Sequence, residues 1–557
     1  MEKAITSPRG QLSQSVYYYV MAAAILVNIA GIGIPFFSDD PALYAMLARN
    51  MAQTNNFTDL YYHGRDWLDK PHFPFWVVAL SFKMLGVNTI AYKLPALLFY
   101  FMSVFYTYKL GRKFYDMQTA LLAVLILLTA QHTIMSNTDV RAEPYIMGLL
   151  IGSIYHFYKL KEKFSIAHLL LASLFAACAV MTKGIYLLIP IGSAIIGDYL
   201  FKKDFKGLLQ WRWLLSFLLV CLFVLPEVYT VYVQFDQHPE KMVFGRTGVS
   251  GIQWFLWGSQ FGRFNNDGFI KNSHGDPFFF LHTLLWAFAP WAIVFFYALG
   301  KKIRDIIKGK PQPEYICLSA ALVMLLIFSI SKFQLPFYTN ILFPFFAVIT
   351  AGFISSLAGG AEARFFNISQ YIICGLLLAV FVALGIAFAP GKIILPVILF
   401  IAGAGAVFFI YRQQGQGYRP VFLLSCVVMI IINTYFVLVF YPVLLSYKGD
   451  EVAACYVNTN YPGQQVVSTA PMADRFDFYM KEPVAYATAE EIIQHKKTNT
   501  HLVFADDDAM EQLKNSPRRI QVLKVFDNYF GENLKLSFIN QATRKSALIH
   551  FYLIRVN

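Results

Sequence analysis

The chain has 557 residues, 57% of them apolar and only 14% charged, with a formal net charge of +13. Soluble domains carry about a quarter charged residues, so one water-soluble core is excluded, and the apolar residues fall in runs of about 20, the length that crosses ~30 Å of hydrocarbon. In a soluble chain the positive balance would point to nucleic acid; here the basic residues sit in short loops beside apolar runs, where they fix topology and meet anionic lipid. The partners expected are therefore membrane lipids and no nucleic acid.

The first run, near 16–37, follows Lys3 and Arg9, is too long for a signal-peptide core and lacks a small-residue cleavage site, so it reads as a signal anchor. Further runs lie near 92–109, 117–134, 142–158, 165–182, 185–201, 213–233, 277–299, 314–331, 335–356, 368–389, 393–411 and 420–443. Together they predict about thirteen transmembrane helices. With a cytoplasmic N-terminus, the loops on that side carry Arg112 and Lys113; Lys159, Lys161 and Lys163; Lys202, Lys203, Lys206 and Arg212; the 301–310 cluster; and Arg412 and Arg419. The opposite short loops are nearly free of basic residues, as the positive-inside rule requires. An odd number of spans puts the C-terminus outside.

Three outer regions follow from this plan. Residues 38–91 hold an amphipathic stretch, Pro41–Ala52, and an apolar one, Phe73–Leu85, both read as interfacial helices. Residues 234–276 are rich in Trp, Phe and Gly. In 445–557 strand-like runs (Gln465–Ala470, His501–Ala505, Ile520–Phe526, Leu548–Ile554) alternate with helix-like ones (Ala489–Lys497, Asp507–Asn515), the pattern of a small α/β domain. The division is thus a membrane domain over 1–444 and an extracytoplasmic α/β domain over 445–557. The six cysteines show neither metal-site nor disulfide spacing, and the absence of an internal repeat weakens a transporter built on inverted repeats.

Ionisable residues at a membrane boundary are costly and usually functional. The telling ones all fall on the outer side: Asp39 and Asp40 after the first span, Asp69-Lys70-Pro71, Asp139, Arg141 and Glu143 in one short loop, Lys183-Gly184, Arg263, His274 and Lys332. Asp40-Pro41 and Glu143-Pro144 also suit helix starts, Lys183 suits a snorkelling helix end, and Asp69-Lys70 suits a plain surface pair. His63, His72, His132 and His274 lack metal-ligand spacing and read as packing or interface residues. Taken together, carboxylates, cations and aromatics on one membrane face fit a sugar carried on a polyprenyl phosphate. Its displacement needs cations on the departing phosphate and a carboxylate base when the acceptor is a hydroxyl.

At these residues the sequence resembles bacterial polyprenyl-phosphate-dependent glycosyltransferases of the GT-C fold, in particular the lipid A aminoarabinose transferase branch, related to the protein O-mannosyltransferases. The resemblance runs from about 35 to 350. It rests on Asp40-Pro-Ala-Leu-Tyr44, Asp69-Lys70-Pro71 with Trp76, Glu143-Pro144, Lys183-Gly184, Gly262-Arg263-Phe264, His274 with Pro277, Pro290-Trp291, and Leu335-Pro336-Phe337-Tyr338 with Pro344, in that order.

The resemblance implies a glycosyltransferase at the periplasmic face of a bacterial inner membrane, acting on lipid A or another envelope glycan or protein. Asp40, with Asp39 and Glu143, would be the catalytic carboxylates. Lys70, Arg263, Asp69, Tyr44, Tyr338, Lys183 and Lys332 would bind the carrier phosphate, Lys332 standing in for a lysine the family often has where this chain has Gln334. Which of Asp39 and Asp40 acts stays open, as does a divalent cation, since paired carboxylates can hold Mg²⁺ or Mn²⁺. The other readings are a protein O-glycosyltransferase of the same fold, a lipid-linked glycan flippase and a non-catalytic scaffold.

Overall fold

The structure, a computed structural model, describes residues 14–266, 275–391, 394–414, 417–470, 473–494 and 501–556. It begins with helix α1 (Gln14–Ala30), then α2 (Asp39–Thr54), the short hairpin β1 (Tyr61–Tyr62) and β2 (Arg65–Asp66), and α3 (Phe73–Leu85). The bundle continues through α4 (Thr89–Phe114), α5 (Met117–Thr129), α6 (Gln131–Thr138), α7 (Glu143–Glu162) and α8 (Ile166–Lys183). Nearly every side chain of α5 and α7 is buried, so these two helices form the core on which the others pack.

Among the described residues, eight helices are long and apolar enough to cross a membrane, or nine if the bent pair α5–α6 is one span. The thirteen runs of the sequence all contain helix, but not all meet that measure. The helices Phe73–Leu85, Ile185–Phe201 and Ile316–Ile330 are apolar but shorter; 15 residues of helix reach only about 22 Å. The run 277–299 is divided into Phe279–Ala287 and Ala292–Ile307, with Pro290, which has no N–H to donate, between them.

Polar ties inside this apolar bundle fix the end that carries the charged loops. Lys93, fully buried on α4, donates to the carbonyls of Gly31, Ile34 and Thr138, joining the turn after α1 to the last turn of α6. The next residue, Asp139, accepts from the backbone N–H of Phe37 at 3.0 Å and from the N–H and hydroxyl of Ser38. Ser38 is therefore the N-cap residue of α2, with its hydroxyl spent on Asp139. The sequence reading of Asp40 as the cap is corrected: Asp39 and Asp40 both lie inside the first turn.

A second tie holds the loop before α3. Glu227, on the helix Trp211–Val231, accepts from the His72 backbone N–H at 2.9 Å and faces its Nδ1 at 3.0 Å. The other ring nitrogen lies 3.0 Å from the Thr58 carbonyl. Both partners are about 1% exposed or less, and His72 sits two residues after Lys70.

The C-terminal region, packed on α2 and on the turn before it, carries β3 (Val466–Ser468), β4 (Ala485–Tyr486), β5 (His501–Asp506), β6 (Ile520–Asn528) and β7 (Ile549–Val556) in the order β4-β3-β5-β7-β6. β3 pairs in parallel with β4 and β5, whereas β7 runs antiparallel to β5 and β6. Phe476 stacks on Phe504 in its core at 4.0 Å. Arg49 of α2 reaches Asp477 at 2.8 Å, so the helix that bears Asp40 is also a seat for this region. Replacing Glu227 by Ala is expected to destabilise the protein by about 1–3 kcal/mol, the cost of leaving buried donors without their acceptor; an unchanged detergent melting temperature would refute that role.

Candidate active site

At the end of the bundle next to the C-terminal sheet lies a cavity of about 140 Å³ whose lining includes Asp40, Tyr44, Asp69, Lys70, Arg141, Glu143, Lys183, Arg263 and Tyr338. Six separate segments deliver these residues. The first turn of α2 brings Asp40, and Tyr44 follows one helical turn later on the same face. The loop held by Glu227 and His72 brings Asp69 and Lys70. The turn between α6 and α7 brings Arg141, and α7 opens on Glu143 with Pro144 after it, a residue that costs nothing in a first turn.

Lys183 ends α8, where Gly184 takes φ +119°. A side chain at 184 would also collide with Gln260, about 2.0 Å from the position of a Cβ. Arg263 lies in the last turn of the short helix Ser259–Asn265.

The charges alternate. Asp69 binds both Lys70 and Arg263. Glu143, about 1% exposed, holds Lys183 at 2.5 Å, and Lys183 also lies over the Tyr338 ring at 4.2 Å. Snorkelling, one sequence reading of Lys183, is thereby corrected: the ammonium turns inward to a buried carboxylate. Arg141 stands 3.5 Å from Asp40 and stacks over Phe337 at 4.5 Å. Four cations and three carboxylates leave one net positive charge in the lining. Among the described residues the second Glu143 oxygen is buried with no hydrogen-bond partner.

The neighbouring charges and the burial displace titrations here. Burial pushes the Lys70 ammonium down, with help from neighbouring Arg263, to about 8 despite Asp69 beside it. Burial works the other way on Asp69, but Lys70 and Arg263 outweigh it and hold that carboxyl below its ordinary range. Arg141 stays a cation because Asp40, Glu532 and Asp139 outweigh its burial.

A second cavity of about 90 Å³ lies beside it, sharing Lys183, Arg263, Phe333 and Tyr338 in its lining and reaching Met324, Ile327 and Phe328. A charged chamber thus adjoins a largely apolar slot, an arrangement suited to a ligand with an anionic head and a hydrocarbon tail.

Not every candidate converges. Asp39 is 71% exposed, is not part of the lining, and pairs with Arg475 of the C-terminal region at 2.6 Å. Lys332 is exposed and lies outside the lining; the register shift proposed to replace a family lysine does not bring it in. Gln334 is buried and ties Asp276 and Phe328 together through their backbones. His274 lies outside the described residues. Conversely, Arg141 was visible in the sequence between Asp139 and Glu143 but was not assigned to the site, and Phe337 was read only as part of a motif. Among the described residues no three His, Cys, Asp or Glu side chains could hold a metal. Asp40, Asp69 and Glu143 each face a cation instead, so this donor set does not fit a divalent ion.

Residues 69–229 match the dolichyl-phosphate-mannose-protein mannosyltransferase family. An uncharacterized protein of Aquifex aeolicus is 27% identical over 324 residues, 57% of this chain and 59% of that one. The undecaprenyl phosphate-alpha-4-amino-4-deoxy-L-arabinose arabinosyl transferase of Pectobacterium atrosepticum is 26% identical over 512 residues, 87% of this chain and 84% of that one. The chain spans less than two thirds of the length of the first relatives it matches. The crystal structure of ArnT from Cupriavidus metallidurans bound to undecaprenyl phosphate superposes with a TM-score of 0.74 over 98% of each chain at 15% identity, a likeness that speaks for the fold.

The class is therefore that of multi-pass membrane proteins with the fold of GT-C glycosyltransferases. Within it, the resemblance to polyprenyl-phosphate glycosyltransferases of the aminoarabinose transferase kind is borne out, and the enzyme class read from the sequence agrees with the relatives' names.

Because Lys70 loses its proton near pH 8, affinity for a phosphate ester is expected to fall as pH rises through that value. Lys70→Arg should flatten the dependence, since guanidinium stays charged; titration of a short-chain prenyl phosphate at pH 6.5 and 9.5 measures both, and an equal slope in the two proteins would contradict the assignment.

Proposed function

We propose that the chain is an integral-membrane glycosyltransferase that moves one sugar from a polyprenyl monophosphate carrier to lipid A or another cell-envelope acceptor. The observation that carries this reading is the chamber of four cations set among carboxylates, lined by Asp40 and adjoining a largely apolar slot. A polyprenyl phosphosugar is a monoanionic diester with a hydrocarbon tail, so its head suits the cations of the chamber and its tail the apolar slot. In this reading the full thirteen-span plan holds, the protein sits in a bacterial inner membrane, and the cavity and the C-terminal α/β domain face the periplasm.

The reaction balances within the chamber. The acceptor oxygen forms a bond to the anomeric carbon while the bond from that carbon to the phosphate oxygen breaks. With a hydroxyl acceptor, Asp40 takes the proton, so one negative charge passes from the carboxylate to the departing phosphate. Lys70 and Arg263, held in place by Asp69, stabilise that charge without rearrangement; a single preorganised donor of this kind contributes about 10²–10³ in rate. Glu143 fixes Lys183, which with Tyr338 borders both compartments. With a phosphate acceptor the proton is already gone, and Asp40 orients the donor instead. No step needs a metal, so EDTA should leave the rate unchanged.

Asp40→Asn is expected to lower transfer by roughly 10²–10⁴-fold with carrier binding largely retained, measured with purified protein and a radiolabelled donor. Loss of both activities in a folded variant would make Asp40 a binding residue. Transfer in detergent without a gradient separates this reading from a flippase and from a scaffold. Mass spectrometry of envelope lipids and glycoproteins, with and without the protein, identifies the acceptor by the loss of one sugar mass, and a glycoprotein so affected would favour protein O-glycosylation.

A further inference from the structure

Glu532 follows β6 in the C-terminal region, 391 positions from Arg141 in sequence. Its two carboxylate oxygens have different partners. One accepts from the Arg141 guanidinium at 2.7 Å. The other accepts from the backbone N–H of Asp39 at 3.2 Å. That N–H is one of the donors at the start of α2 that have no partner within the helix, and the hydroxyl of the N-cap residue Ser38 makes no cap hydrogen bond because it is committed to Asp139. Glu532 thus completes the cap of α2 from a distant segment, with a charge of the sign that a helix N-terminus favours.

Each contact leads to Asp40. Asp40 lies in the turn whose N–H Glu532 caps, and Arg141 is the cation 3.5 Å from its carboxylate. Arg141 is clamped between Phe337 on one side and two carboxylates on the other. Without Glu532 the guanidinium has Asp40 as its remaining carboxylate within 4 Å and is free to move onto it.

We infer that Glu532 is a positioning residue for Asp40, acting through Arg141 and through the first turn of α2, so that the C-terminal region completes the catalytic chamber. This rests on the reading of Asp40 as the transfer carboxylate. Docking alone would be a different role, and other contacts already serve it: Arg49 with Asp477, and Arg475 with Asp39.

Steady-state kinetics of the full chain, varying the donor, tests the inference with Glu532→Ala, Glu532→Gln, Glu532→Asp and, as a docking control, Arg49→Ala. An amide has one acceptor oxygen, so Gln sets a donor against either Arg141 or the Asp39 N–H. Both Ala and Gln are expected to lower kcat about 10- to 100-fold, the size of effect that misplacing a reacting group by about 1 Å produces, with donor KM little changed. Asp should recover part of the loss, and Arg49→Ala should keep the parent kcat. A Gln variant with the parent kcat, or an Arg49→Ala loss equal to that of Glu532→Ala, overturns the inference. A parent protein that transfers no sugar counts against the transferase reading itself. The contact is then read by arginine-selective dicarbonyl labelling: faster reaction of Arg141 in Glu532→Ala supports it, and equal rates overturn it.

Discussion

Four cations cannot share one small chamber unless carboxylates stand between them. At a separation of about 4 Å, two like charges repel by ~4 kcal/mol at an effective dielectric of 20. Here Asp69 is placed between Lys70 and Arg263, Glu143 against Lys183, and Asp40 beside Arg141. The lining itself holds four cations against three carboxylates, and Glu532 stands just outside it on Arg141. The neighbouring aromatic faces of Phe337, Tyr338 and Phe333 lie under the same cations and exclude water from them, which strengthens each pair.

Such an arrangement demands a stiff frame, because the six segments that build it are distant in sequence. The frame consists of a few buried polar ties in an otherwise apolar bundle. Lys93 gathers three carbonyls and so fixes the turn that presents Asp139; Asp139 fixes Ser38, and Ser38 starts the helix of Asp40. On the other side, Glu227 and His72 fix the loop of Asp69 and Lys70. Inside a membrane, apolar contact alone does not discriminate one helix register from another, since lipid is equally apolar. Hydrogen bonds between segments supply part of that discrimination, which places these ties among the residues that define the site without touching its ligand.

What the sequence made legible followed from local pattern. Strand alternation placed β5, β6 and β7 within a few residues of their observed bounds, and α3 coincides with the apolar run Phe73–Leu85. The two-residue strand β4 is too short to carry a period, and it was missed. Charge beside apolar runs revealed Asp40, Lys70, Glu143, Lys183 and Arg263, all of which line the chamber. The failures were tertiary. Nothing local separates Lys332, which turns out of the chamber, from Lys183, which turns in. Glu227 sits inside an apolar run as a lone carboxylate, a signal that could have been read as a buried pair, but its partner His72 lies 155 positions away. Arg141 stood in plain view between two acidic residues; only the position of Phe337 beneath it and Glu532 above it shows that it faces the chamber.

Adjacent aspartates at the start of a helix cannot do the same work. Successive residues on a helix point about 100° apart, so once Asp40 is turned toward Arg141, Asp39 must face elsewhere. It faces the C-terminal region, where Arg475 bridges it to Asp450. The pair that looked redundant in the sequence is therefore divided: one carboxylate belongs to the chamber of the membrane bundle, the other to the joint with the sheet. Glu532 sits across the same helix turn, with one oxygen on the Asp39 backbone and the other on Arg141. The joint and the chamber thus share a single turn of backbone.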